Sequence, residues 1–220
     1  MFFAFVSSRY AVLVTKRYDQ YCPIAHSLDL IGDRWSLMVV RELLRGPKRY
    51  TDLAAGLPGI GTNVLASRLR ELETHGILTR QTLAPPAASK VYELTDYGRD
   101  LEPVLHELGM WGARSLGPPS AGPPLFEGWL ANALGCAMAP LAPPGRFEFR
   151  VGDEVAALVD GEVHEGPIDD PDVVIEGDPD GIYWMFVERS ADRMRVEGDG
   201  TLLDKLLQVA PRALETPIPG

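Results

Sequence analysis

Apolar residues recur at helical spacing from Pro23 onward. Ile24, Leu28 and Ile31 predict a first helix after Pro23, a residue favoured at the first helical position, with Gly32-Asp33 as its end. Leu37, Val40, Leu43 and Leu44 predict a second helix over residues 35–44, stopped by Gly46-Pro47. Thr51 is a candidate cap for a short helix through Leu57. Pro58-Gly59-Ile60-Gly61 reads as a turn, and Thr62 opens a longer helix to about His75, with Gly76 just past its end. A helix, a tight Gly-containing turn and a second helix form the outline of a helix-turn-helix. On a helical wheel Leu65, Leu69 and Leu72 share one arc, which predicts the core side. Asn63, Ser67, Arg70 and Thr74 fall opposite. That polar arc is either a solvated face or a surface that reads nucleic acid, since Asn63 and Arg70 suit base edges and phosphates.

The period then changes. Residues 77–83 and 90–94 have strand character around an Ala84-Pro85-Pro86-Ala87-Ala88 turn, so a hairpin with Arg80 and Lys90 near its tip follows the two helices as a wing. Thr95 is the expected cap of a helix over residues 96–116 carrying Leu101, Val104, Leu105, Leu108 and Trp111. This is more apolar surface than a small domain needs, and with the Ile24 helix it suits a symmetric dimer contact. Beyond Gly117 a Pro/Gly-rich stretch, residues 117–123, reads as a semi-stiff linker. Residues 125–138 are amphipathic. Short alternating runs at 147–151, 154–159, 161–164 and 172–176, separated by Gly-Asp, Asp-Gly and Gly-Pro turns, predict a meander of antiparallel strands. A helix over 178–187, a strand over 194–199 and a helix over 202–209 complete the pattern. The fold class is therefore α+β: a winged helix-turn-helix followed by a small α+β domain with an antiparallel sheet.

Charge sharpens this division. Residues 1–116 carry 14 basic and 12 acidic groups, and residues 117–220 carry 7 and 19. Within the first part, residues 34–90 hold nine cations against four acids. The whole chain, at −10, is a poor nucleic-acid binder by net charge, but phosphate attraction follows the local patch. Composition is ordinary for a globular protein, 45% hydrophobic and 24% charged, which excludes a disordered tail, a collagen-like chain and a disulfide scaffold. Cys22 and Cys136 form neither a metal-spaced pair nor a disulfide framework, so a reducing, cytoplasmic setting is expected. The apolar start, residues 1–16, is too short and too broken by Ser7, Ser8 and Arg9 to span a membrane. It is either an extension outside the native protein or an arm packed on the fold. The sequence holds no Gly-rich phosphate loop, nucleophile elbow or His/Cys/Asp ligand cluster, so no enzyme, cofactor or metal site is expected.

The segments Tyr21-Cys22-Pro23, Leu28-Asp29-Leu30-Ile31-Gly32-Asp33-Arg34-Trp35, Arg41-Glu42-Leu43-Leu44-Arg45-Gly46-Pro47-Lys48-Arg49-Tyr50, Leu57-Pro58-Gly59-Ile60 and Val64-Leu65-Ala66-Ser67-Arg68-Leu69-Arg70-Glu71-Leu72 follow one another along the chain. With Gly76-Ile77-Leu78, Tyr92-Glu93-Leu94-Thr95 and Gly98-Arg99-Asp100-Leu101 after them, residues 17–116 resemble, in order, the HxlR-type winged-helix transcriptional regulators. The resemblance implies a homodimer on palindromic double-stranded DNA, with one helix in the major groove and the wing near the minor groove. Carried over residue by residue, the DNA-binding candidates are Thr62, Asn63, Ser67, Arg68 and Arg70 on the helix, Arg80 and Lys90 on the wing, and Arg49 as a phosphate contact. Cys22 occupies the position at which some relatives sense oxidants. It is either a redox thiol, since thiols at helix N-termini ionise readily, or a packed helix-start residue.

Residues 124–213 resemble a sterol-carrier-type lipid-binding domain, carried by Asp172-Val173-Val174-Ile175-Glu176-Gly177-Asp178-Pro179 and Arg195-Val196-Glu197-Gly198-Asp199. That likeness implies a cavity between sheet and helices for an apolar small-molecule effector, with Trp129, Leu134, Phe147, Phe149, Trp184, Met185 and Leu206 as candidate lining. The same residues also read as plain core. The expected organisation is an extension (1–16), a DNA-binding and dimerisation domain (17–116), a linker (117–123), a ligand domain (124–213) and a tail (214–220). The expected function is a cytoplasmic, homodimeric transcriptional regulator on an inverted repeat. The alternative is a lipid or small-molecule carrier whose winged helix serves only for dimerisation.

Overall fold

Pro23 lacks the N–H that a first helical residue leaves unpaired, and helix α1 (Pro23–Ile31) starts on it and ends at Gly32. Our computed structural model describes residues 17–82, 89–122, 124–139 and 141–209. The expected extension, the 84–88 turn and the 214–220 tail lie outside the described residues. Trp35, at φ 81°, turns the chain into α2 (Ser36–Leu44), with the Arg34 guanidinium 5.4 Å from its ring centroid. Helix α3 (Tyr50–Gly56) starts two residues earlier than a Thr51 cap would place it. Its cap is Arg49 rather than Thr51: the Arg49 backbone N–H donates to the Asp52 carboxylate at 3.0 Å. Helix α4 (Thr62–Thr74) follows the Pro58–Gly61 turn and buries Leu65, Leu69 and Leu72, the predicted arc.

Strands β1 (Leu78–Thr82) and β2 (Lys90–Leu94) pair antiparallel, Leu78 opposite Leu94 and Thr82 opposite Lys90. Thr95 caps as expected, its hydroxyl accepting the Gly98 N–H at 3.1 Å. The single helix expected over residues 96–116 is two, α5 (Asp96–Arg99) and α6 (Glu102–Leu116). Pro103 has no N–H to donate to the Arg99 carbonyl, so an unbroken ladder cannot form there.

The chain divides into two compact units between Glu102 and Pro103. Helix α6, grouped by the sequence with the first half, counts with the second unit. Its Met110 lies in that unit's core and Ala113 packs against it. The described residues of the rest of the second unit form a 3-10 turn (Pro119–Ala121), α7 (Trp129–Ala137), β3 (Arg146–Val151), β4 (Glu154–Val159) and β5 (Glu162–Glu165). Then come β6 (Val173–Gly177), α8 (Pro179–Glu188), β7 (Arg195–Gly198) and α9 (Gly200–Val209). The expected linker is tied down over part of its length: Ser120 donates its N–H and its hydroxyl to the Asp180 carboxylate, at 2.8 and 2.5 Å.

The predicted antiparallel meander is corrected by the sheet, which is mixed. Its order is β5-β4-β3-β6-β7, and β6 lies parallel to β3 while the other pairs are antiparallel. The turn signals after β5 mark a crossover rather than a hairpin. Two residues of β3 hold it. The buried Glu148 carboxylate accepts the Ile168 N–H at 2.8 Å and the Arg150 guanidinium at 2.6 Å. Arg146 donates to the carbonyls of Asp169 and Asp170 at 2.5 and 3.1 Å. The alternate residues Phe147, Phe149 and Val151 face the other way, into a core shared with residues of α7, α8 and α9.

Candidate nucleic-acid interface

The interface candidates sit on three segments of the first unit whose backbones are tied together. The Tyr50 hydroxyl, on α3, donates to the Thr62 carbonyl at 2.8 Å and so fixes the start of α4. Lys48 and Tyr92 exchange two backbone hydrogen bonds, 3.0 and 2.8 Å, which join the segment before α3 to the wing. Tyr92 is the cross-strand partner of Arg80, whose guanidinium lies 5.1 Å from its ring centroid. Arg49, between Lys48 and Tyr50, is thereby held beside both the wing and the start of α4.

The candidate side chains differ in what they are free to do. Thr62, Asn63 and Arg70 are exposed on α4, and Arg49 and Lys90 are exposed on their segments. Among the described residues Arg49, Arg70 and Lys90 carry no ion pair, and Arg70 makes only a bond from Nε to its own helix's Ala66 carbonyl at 3.2 Å. The remaining candidates have protein partners. Ser67 donates to Glu71 at 2.9 Å. Arg68 pairs with Asp33 and Glu71, its side chain only 16% exposed. Arg80 pairs with Glu73 at 3.2 Å and keeps 43% of its side chain exposed. On the wheel Arg68 lies outside the polar arc, on the flank of the leucine arc, and there the fold pairs it with Asp33 and Glu71.

Sequence reasoning missed three residues here. Val64 is 41% exposed on α4 beside Asn63, where an apolar side chain suits a thymine methyl. Tyr50 and Glu42 act inside the unit. Their signal was an aromatic and an acid in the middle of a basic, turn-flanked segment. Glu42 is buried and accepts Lys48 at 2.7 Å and Arg41 at 2.7 Å. Burial pushes its carboxyl up, but hydrogen bonds and charge from Lys48 and Arg41 outweigh that and hold it below the usual carboxylate range.

The HxlR-like helix-turn-helix family matches residues 30–119. A 101-residue stretch is 33% identical to the HTH-type transcriptional regulator YvaP of Bacillus subtilis, covering 46% of this chain and 94% of that protein. The chain belongs to the HxlR-like family. As a family member it is a DNA-binding transcriptional regulator, with a winged-helix fold in its N-terminal part. A second relative, the HTH-type transcriptional regulator sll1512 of Synechocystis, is 45% identical over 91 residues, 40% of this chain and 67% of the relative. Among solved structures, the reduced form of the regulator YodB from B. subtilis is 34% identical, covering 43% of this chain and 94% of that one, with a TM-score of 0.39. The family match ends at residue 119 and lends no support to the sterol-carrier likeness expected of residues 124–213.

The remaining candidates fall elsewhere. Cys22 is the half-buried residue before α1 and makes no side-chain cap bond, and neither cysteine is in a disulfide. Leu134, Phe147, Phe149, Met185 and Leu206 are at most 1% exposed and lie in the second unit's core, with Trp129 half-buried against it. Trp184 instead stacks under Arg193, 5.3 Å from its ring centroid. Among the described residues no group of three or more His, Cys, Asp or Glu could hold a metal ion. No helix among them is long and apolar enough to cross a membrane.

Proposed function

We propose that this HxlR-like regulator acts in the cytoplasm as a homodimer on an inverted-repeat operator, with α4 in the major groove and the wing beside it. Thr62, Asn63, Val64 and Arg70 read or position on the duplex, and Arg49, Arg80 and Lys90 meet phosphates. The observation that carries this is the sorting of α4. Its leucines are buried and its acids Glu71 and Glu73 are paired with Arg68 and Arg80, while Arg70, Arg49 and Lys90 stay exposed without acid partners among the described residues. A carrier with a vestigial winged helix has no need of that arrangement.

Dimerisation is supported by two apolar faces that the single chain leaves open. Ile24 and Leu28 on α1 are 72% and 43% exposed, and Val104, Leu108 and Trp111 on α6 are 48%, 45% and 67% exposed. Spaced by three and four residues, each set forms one stripe of its helix. No ligand role is proposed for the second unit, because five of its seven candidate lining residues fill its core. The test is selection of duplexes from a random pool by the full-length protein, with light scattering of the complex. A consensus of two inverted half-sites about 10 bp apart, bound by two chains, supports the reading. Enrichment of no consensus would falsify it.

A further inference from the structure

Glu42 lies at the node where the interface segments meet. Its Oε2 accepts the Lys48 ammonium at 2.7 Å and its Oε1 accepts Arg41 at 2.7 Å. Lys48 carries the two-bond bridge to Tyr92 at the base of the wing, and two residues on, Tyr50 holds the start of α4. Gly56, at the end of α3, leaves room for the carboxylate: a Cβ there would come 2.6 Å from Glu42 Oε2. A buried carboxylate in a basic DNA-binding unit works against phosphate attraction, so its presence needs another reason.

We propose that Glu42 is a positioning residue for DNA recognition. By holding Lys48 it keeps residues 48–50 in one register, and with them the wing, Arg49 and the first turn of α4. The inference rests on the DNA-binding reading above. It carries an inverted sign: removing this negative charge strengthens general attraction to DNA but weakens recognition of a chosen sequence.

The test compares full-length wild type, Glu42→Gln and Gly56→Ala. The probes are a duplex selected by the wild type from a random pool and a scrambled duplex of the same length. Near-UV circular dichroism checks folding, and titration of active fraction corrects each affinity. Glu42→Gln is expected to bind the selected duplex about tenfold or more weakly. Its affinity for the scrambled duplex stays level or rises, because counterion release follows net local charge. Gly56→Ala, which displaces the carboxylate without changing any charge, should lower the affinity for the selected duplex alone. A merely structural role would leave the ratio of the two affinities untouched. The proposal is overturned if both duplexes shift together, if Gly56→Ala keeps the wild-type ratio, or if both variants unfold at the assay temperature. A wild type that selects no duplex refutes instead the DNA-binding reading, and this inference with it.

Discussion

Arg68 and Arg70 are two residues apart on α4 with opposite surroundings, one ion-paired and the other exposed, which makes the pair a sharp test of the proposed interface. Arg68 is 16% exposed and bridges Asp33 and Glu71, whose side chains are 71% and 38% exposed. Solvent screens those acids, so the ion pairs together are worth at most about 1 kcal/mol. The buried stem of Arg68 adds packing, which brings the cost of Arg68→Ala to about 1–2 kcal/mol of local stability. Arg70 is exposed and bonds only its own helix. Arg70→Ala should therefore change stability by less than about 0.5 kcal/mol. Its effect belongs to binding, about 1–3 kcal/mol if it contacts a base edge. Hydrogen exchange of the α4 amides reads local stability, and fluorescence anisotropy with the selected duplex reads affinity. The expected result is faster α4 exchange with near-normal affinity per folded molecule for Arg68→Ala, and the reverse for Arg70→Ala. If Arg68→Ala abolishes binding while α4 exchange is unchanged, Arg68 is the DNA contact and the assignment made from its ion pairs is wrong.

Other consequences are as direct. Arg49→Ala should reduce the slope of log affinity against log salt by about 1, lowering binding to selected and scrambled duplexes alike; a sequence-selective loss contradicts the phosphate role. Gly98→Ala should destabilise the first unit by about 2–4 kcal/mol in chemical denaturation, because the new Cβ would lie 2.0 Å from the Ile77 carbonyl oxygen, which also accepts the Thr95 N–H. Glu148→Ala should speed exchange of the Ile168 amide and cost the second unit about 2–3 kcal/mol, since that N–H and the Arg150 guanidinium lose a buried acceptor. The Glu42 carboxyl is held below its ordinary value when folded, so its stabilisation is present above the unfolded value and is lost as pH falls through the folded one. A carboxyl NMR titration in which Glu42 protonates at or above the ordinary range contradicts that sign.

The local pattern was enough for most elements of the first unit. Pro23, Gly32, Gly46 and Gly76 start or end helices through their own backbone chemistry, which needs no distant partner. The leucine spacing of α4 set its buried side, since a 3.6-residue period leaves one arc for the core. The two strands of the wing show in their own residues, and Thr95 caps whatever helix comes next. The same local reasoning found the exposed candidates Asn63 and Arg70.

What tertiary structure alone decided is which groups meet across the chain. No spacing rule links Arg68 to Asp33, 35 positions away, so only the fold showed that this cation is bound internally. Glu42 looked like one more charge on a helix until Lys48 and Gly56 closed over it. In the second unit each strand was legible but the sheet was not. Alternation says which residues share a face, whereas the choice between a hairpin and a crossover rests on long-range partners. Here Glu148 and Arg146 hold the 166–172 segment and put β6 parallel to β3. The aromatic residues taken as cavity lining could not be told from core by sequence, because a pocket wall and a packed interior use the same side chains. The burial of Leu134, Phe147, Phe149, Met185 and Leu206 in one core is settled by volume filling across the whole unit, which no local pattern encodes.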